Sequence, residues 1–273
     1  MEGVLNRLGL GHRPAPDADG LARVYRAWCR SVSFDNVVKR IHLASGDPAP
    51  LPNGPPEAFF GTYLRHGTGG TCWPSSAGLY ALLAGLGFDV RRGSAAMRDD
   101  VVGPIHTHGT LLVRLADVDD GGADHWVDTS MLTDRVLPLS PGEETAREDP
   151  LHPFRAEPVG PMWRIWWAHP FLPERVGCLL LADDVTAEHY QDRYEWSRGS
   201  SPFNAALYAT RNTPAARITV AFGQRFERTV DGTTNRVLGD GERERILIEE
   251  FGYSEEIVAA LPADDTTPLP STS

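Results

Sequence analysis

Between Asp17 and Val32 the apolar side chains Leu21, Val24, Tyr25, Trp28 and Val32 recur every three or four residues. This spacing lines one face of a helix, and Asp17 stands where an N-cap belongs. The proline-rich stretch ASGDPAPLPNGPP can hold neither a helix nor a central strand and is expected as a surface connection. PEAFFGTYLRH then predicts a second helix. A third is predicted from Ser75 to Leu86 by Leu79, Tyr80, Leu82, Leu83 and Leu86, with Gly87 as its stop. Beyond Phe88 the pattern changes to short segments rich in β-branched and aromatic residues, separated by turn residues: FDVRRGSAAMR, HGTLLVRLAD, HWVDTSML, RVLPLS, FRAEPV, MWRIWWAHP and ARITVAF. The polar tract DVDDGGAD reads as a hairpin loop between two of them. A helical pattern returns from Glu242 to Leu261, interrupted by Gly252, and the tail PADDTTPLPSTS is expected to be disordered. Helices, then a mainly antiparallel β region, then a strand-and-helix part give an α+β class.

Charge narrows the function classes. Over 273 residues the formal net charge is -11, which argues against a phosphate-backbone partner, whose binding runs on clustered Lys and Arg. The first residues lack the basic start and apolar run of a signal peptide, and no apolar stretch is long enough to span a bilayer. A cytoplasmic protein with no nucleic-acid or membrane partner is expected.

Cys29, Cys72 and Cys178 lie far apart, in no CxxC or disulfide-like spacing. Cys29 and Cys178 fall in apolar surroundings and are expected as core. Cys72 differs, because it follows the glycine turn HGTGGT and opens a predicted helix. A thiol with a pKa near about 8.5 can fall to roughly 3.5 to 7.5 at a helix N-terminus or beside a histidine, which makes it a nucleophile. Pro74 is tolerated in the first turn, and the free N–H groups there could serve an oxyanion. The alternative is a small buried residue capping a helix.

A cysteine nucleophile needs a base, and the base needs an orienting group. His108 begins one predicted strand and Asp128 follows in the next, so a hairpin would bring them side by side. His106 competes for the base role, since residues two apart on a strand share a face. With His125, His106 and His108 could instead be a metal site, but further ligands at usable spacing are missing and no metal is expected. Asp124 is expected to solvate the hairpin loop. Trp163, Trp166 and Trp167 read as sheet packing rather than a base-stacking platform.

The ordered set Phe34-Asp35-Asn36-Val37, Gly69-Gly70-Thr71-Cys72, LGFDV, His108-GTLLV, Trp126-Val127-Asp128 and a late Phe203-Asn204, Leu207-Tyr208, Arg211 resembles the arylamine N-acetyltransferases, as a divergent bacterial-type member, from about residue 3 to residue 260. The resemblance implies a helical bundle over 1–90 carrying Cys72, a β-barrel-like domain over 91–200 carrying His108 and Asp128, an α/β lid over 201–262 and a disordered tail over 263–273. It implies a cysteine-protease-like triad used for ping-pong acyl transfer. Cys72 would take an acetyl or other short acyl group from acetyl coenzyme A, a co-substrate rather than a bound cofactor. His108 would be the base, Asp128 would orient it, and an arylamine, hydrazine or related amine would accept the acyl group. Phe34, Trp73, Met131 and Phe203 would contact substrate, and Gly70 and Thr71 would shape the turn or the oxyanion site. The family's arginine, glutamate and asparagine around the cysteine are replaced by Thr68, Pro74 and Ser76, and its glycine-phenylalanine-glycine turn by Ser130-Met131-Leu132. Alternatives on the same triad are an amide synthase fed by an acyl carrier protein and a thiol hydrolase. A further one is a binding protein that has lost activity.

Overall fold

The structure is a computed structural model and describes residues 1–116, 122–140, 142–147, 149, 151–172 and 174–264. Most of the predicted hairpin loop and of the predicted disordered tail lie outside the described residues.

The chain opens with helices α1 (Glu2–Arg7) and α2 (Ala18–Ser31), the latter capped by Asp17, whose carboxylate accepts from the Gly20 N–H at 2.7 Å. A two-residue strand β1 (Phe34–Asp35) leads into α3 (Val37–Ser45), then α4 (Pro56–His66) and α5 (Cys72–Leu86). Helix α5 has no polar face in its first half: Cys72 through Leu79 are all buried, so this helix runs through the core rather than over it. Leu21, Val24, Tyr25 and Trp28 of α2, Phe59 of α4 and Leu79, Leu82 and Leu83 of α5 form one cluster, and the Trp28 and Phe59 rings stack at 5.8 Å.

Strands β2 (Asp89–Met97), β3 (His108–Arg114), β4 (Asp124–Val127), β5 (Leu137–Leu139), β6 (Thr145–Arg147), β7 (Phe154–Val159), β8 (Met162–Ala168) and β9 (Arg175–Ala182) make one antiparallel sheet in the order β5-β4-β3-β2-β9-β8-β7-β6, with the short helix α6 (Asp99–Val102) between β2 and β3. Its edges meet: Thr145 Oγ1 on β6 donates to the Pro138 carbonyl on β5 at 2.6 Å, and the sheet curls into a nearly closed barrel. Cys178, Trp126 and Phe154 fill it, each at most 1% exposed. Trp163, Trp166 and Trp167 lie on β8.

Helix α7 (Ala187–Ser200) then crosses to α5. Strands β10 (Tyr208–Asn212), β11 (Arg217–Ala221), β12 (Gln224–Thr229) and β13 (Gly232–Val237) complete a second antiparallel sheet, order β1-β10-β11-β12-β13, covered by α8 (Glu242–Glu249) and α9 (Glu255–Ala259). Gly252 sits between these two helices at φ +73°. Because β1 pairs with β10 through Phe34↔Thr210 and Phe34 also bridges to Gly70, the strand beside the glycine turn is hydrogen-bonded to the C-terminal sheet.

Candidate active site

The glycine turn is held by one buried carboxylate. Asp35 Oδ2 accepts from the Gly69 N–H (2.7 Å), Ser33 Oγ (2.7 Å) and Tyr253 Oη (2.8 Å), while Oδ1 accepts from the Val37 N–H (3.1 Å). Burial pushes the Asp35 carboxyl up against the pull of these donors. A Cβ on Gly69 would lie 1.8 Å from the Ser33 carbonyl oxygen, so only glycine lets the two backbones approach this closely. Gly70 turns its carbonyl to the Asp35 N–H (3.2 Å) and to Ser75 Oγ (2.9 Å), which fixes it as a turn residue. Thr71 is the N-cap position, and Cys72 therefore begins α5.

Cys72 is 8% exposed, and its Sγ lies 3.9 Å from the Thr107 carbonyl oxygen. His108, on the first residue of β3, is near enough to interact electrostatically with it. His108 Nε2 contacts Asp128 Oδ2 at 2.7 Å, leaving Nδ1 free of the carboxylate. The Asp128 side chain is fully buried and its Oδ1 accepts from the N–H groups of Ser130 and Met131, both at 2.9 Å. Burial works to raise this carboxyl, but His108 and the two backbone donors win and hold it below the usual range. Burial likewise works to lower His108, and the charge and hydrogen bond of Asp128, with Cys72, outweigh it and raise the imidazole. The arrangement places a thiol, an imidazole and a buried carboxylate in the neighbourhood of one another.

Asp128 lies one residue past β4 rather than inside a strand, because HWVDTSML leaves the sheet at Val127. The loop that follows is braced from two directions. Tyr25 Oη on α2 donates to the Asp128 carbonyl at 2.7 Å and accepts from the Asp128 N–H at 3.3 Å; its contact with Thr133 Oγ1 is 3.0 Å. From the C-terminal sheet, Asn212 Nδ2 donates to the Leu132 carbonyl (2.6 Å) and Asp134 Oδ1 (2.7 Å), and buried Arg217 donates to the Met131 and Leu132 carbonyls. These contacts support a backbone in which Leu132 and Asp134 both take the left-handed φ that side chains disfavour, +47° and +58°. Tyr25, Asn212 and Arg217 were not legible as site residues, since each acts on a backbone carbonyl far away in sequence.

His106 corrects the shared-face expectation: it precedes β3 rather than lying on it, and its Nδ1 contacts Ser94 Oγ at 2.8 Å, a hydroxyl that also meets His189 Nε2 at 3.0 Å. Asp124 is no loop-solvating group; it pairs with Arg91 and Arg114 across the sheet. Among the described residues no three His, Cys, Asp or Glu side chains are placed to hold a metal. Phe34 and Phe203 meet edge to face at 5.4 Å, and both pack on Tyr208. Trp73 is buried against Tyr190 at 5.0 Å and beneath Gly109, where an added Cβ would lie 2.6 Å from its ring. Met131 is fully buried in the β-sheet core, so its side chain packs there. Ser76, in the place of the family's asparagine, bonds the Gly109 carbonyl and Thr129 Oγ1, both at 3.0 Å, tying α5 to β3 and to the residue after Asp128. Thr68 is fully buried, and its Oγ1 has no partner among the described residues.

No family model matches the chain. An arylamine N-acetyltransferase of Mycolicibacterium smegmatis is 31% identical over 123 residues, a stretch that spans 44% of this chain and 42% of that relative. Among solved structures, the arylamine N-acetyltransferase of M. tuberculosis superimposes with a TM-score of 0.81 at 19% identity, covering 96% of this chain and 94% of that one. The Mycobacterium marinum arylamine N-acetyltransferase in complex with CoA gives 0.80 at 19% identity over 96% and 98%. No helix among the described residues is long and apolar enough to cross a membrane. In sequence the chain resembles the arylamine N-acetyltransferases over the matched stretch, and through nearly its whole length it has their α+β fold.

Proposed function

We propose that this chain is a cysteine-dependent N-acyltransferase that moves a short acyl group from an acyl coenzyme A thioester to an arylamine, hydrazine or related amine. The observation that carries the reading is the contact between His108 Nε2 and Asp128 Oδ2, with Cys72 close enough to act on the His108 imidazole. The likeness to arylamine N-acetyltransferases, one of them solved with CoA, supports the choice of donor and acceptor.

In the first half-reaction the Cys72 proton passes to His108 Nδ1, the thiolate attacks the thioester carbonyl, and the tetrahedral oxyanion collapses to an acyl-Cys72 with departure of the coenzyme A thiolate, which takes the proton. In the second, the amine attacks the acyl-enzyme, His108 Nδ1 removes its proton, and Cys72 is released as the amide leaves. The carboxylate of Asp128 stabilises the imidazolium in both halves. The free N–H groups of the first turn of α5 offer backbone donors for an oxyanion on a carbon attached to Sγ. Initial rates with acetyl coenzyme A and an arylhydrazine test the scheme. Parallel double-reciprocal lines are expected, with Cys72→Ser inactive; intersecting lines with an active Cys72→Ser would overturn it.

A further inference from the structure

A cavity of about 320 Å³ opens beside Trp73, between the start of α4, the first turns of α5 and the N-terminal half of α7. It falls in the size range of small-molecule sites, roughly 300 to 1,000 Å³. Cys72 does not line it. Trp73, Tyr190 and Tyr194 supply flat aromatic walls, and Pro56 and Pro74 close it with rigid apolar surface.

The cationic group on its wall is Arg92, with Gln191 and Glu188 as the other polar side chains besides the tyrosines. Its guanidinium lies over the Tyr80 ring at 3.5 Å, and its buried Nε has no hydrogen-bond partner among the described residues. Arg91, one residue earlier and facing the other way on β2, contrasts with it by pairing with Asp124 and Asp183. The carboxylate on the cavity wall is that of Glu188, which feels the Arg92 charge but forms no ion pair with it. A stacked guanidinium is pre-organised to accept a planar anion, and aromatic walls select a flat ring.

We infer that the cavity bounded by Trp73, Tyr190, Tyr194 and Arg92 is a second ligand site, separate from Cys72, that takes a planar aromatic monocarboxylate. The ring lies against the wall formed by Trp73, Tyr190 and Tyr194, and the carboxylate meets the Arg92 guanidinium. Glu188 at the wall disfavours a second negative charge on the ligand, which selects a monoacid over a diacid.

Titration calorimetry with 2-naphthoate on the full chain tests this, with 2-naphthamide as the uncharged match. Wild type is expected to bind the acid and to bind the amide at least tenfold more weakly, since a charge-assisted bond is lost. Arg92→Gln should weaken naphthoate by a similar factor. Glu188→Gln, on an exposed helix turn, should tighten it about twofold by removing a like charge, so the reading does not rest on the folding of one variant. Protein carbamidomethylated at Cys72 should bind as wild type does. Absence of heat at millimolar ligand, equal binding of acid and amide, or an unchanged Arg92→Gln variant would overturn the site. Loss of binding on Cys72 alkylation would place the ligand in the catalytic cleft instead and refute a separate site.

Discussion

Replacing Asp128 by Asn probes the centre with almost no change of shape. The Asn carbonyl oxygen can keep the Oδ1 bonds from Ser130 and Met131, both 2.9 Å in the native loop, so the loop conformation is retained. What changes is the group 2.7 Å from His108 Nε2, which becomes an amide N–H₂ donor. Nε2 must then accept, the imidazole proton moves to Nδ1, and the nitrogen facing Cys72 can no longer take a proton. Loss of the carboxylate also removes the largest contributions that raise the His108 imidazole, leaving burial, which lowers it, opposed only by Cys72. A wrong tautomer of this kind costs about four orders of magnitude in turnover, or roughly 5.5 kcal/mol of barrier. Breaking a buried ion pair costs about 3–5 kcal/mol of stability; the low end is expected here because the histidine can become neutral. Stopped-flow formation of the acyl-enzyme from acetyl coenzyme A, beside urea unfolding, reads both. An acylation rate within tenfold of wild type would refute the assigned role of Asp128, and a shift of the base to another histidine would follow.

Three further outcomes are expected. Tyr25→Phe strips the hydroxyl from the Asp128 carbonyl and should cost about 1–3 kcal/mol in urea unfolding, with slower acylation, because a buried acceptor loses its donor. Gly109→Ala places a Cβ 2.6 Å from the Trp73 ring and should cost about 1–3 kcal/mol by overpacking. As Trp73 follows Cys72 directly, acylation should slow as well, whereas Cys29→Ala and Cys178→Ala should leave it unchanged. His152 is buried, and burial with the nearby Arg217, Arg228 and Arg30 charges lowers it to about 2. Its folded value lies below its unfolded value near about 6.5, so its contribution to stability is complete above that pH and is lost as pH falls. Below pH 6.5 wild type should therefore lose about 1.4 kcal/mol per pH unit more than His152→Phe in urea unfolding; equal slopes would contradict the assignment.

The helices α2, α4 and α5 were legible because each has apolar residues at helical spacing against one core. Helix α7 was not: its buried side chains are Tyr190, Tyr194 and Ser197 in an otherwise polar run, a face too thin to register as a stripe. Strand β13 lacks alternation altogether, since all six residues are exposed and it is held by backbone pairing to β12. Helix α3 is hidden by the proline-rich stretch that follows it. At the site, residue type and order drew attention to Cys72, His108 and Asp128, of which the structure places His108 and Asp128 in contact. The supports of Asp128 could not, because Tyr25 and Arg217 reach it across 103 and more than 80 residues through carbonyls that leave no mark on the sequence. Aspartate 35 is similar: its bond to Tyr253 joins positions 218 residues apart.

The most direct measurement is the intact mass of the protein after mixing with acetyl coenzyme A, beside Cys72→Ser. The account predicts an acetyl adduct on wild type, placed on Cys72 by peptide mapping, discharged by an arylamine with formation of the amide, and absent from the variant. An adduct retained in Cys72→Ser, or no adduct with any acyl coenzyme A donor, would contradict it.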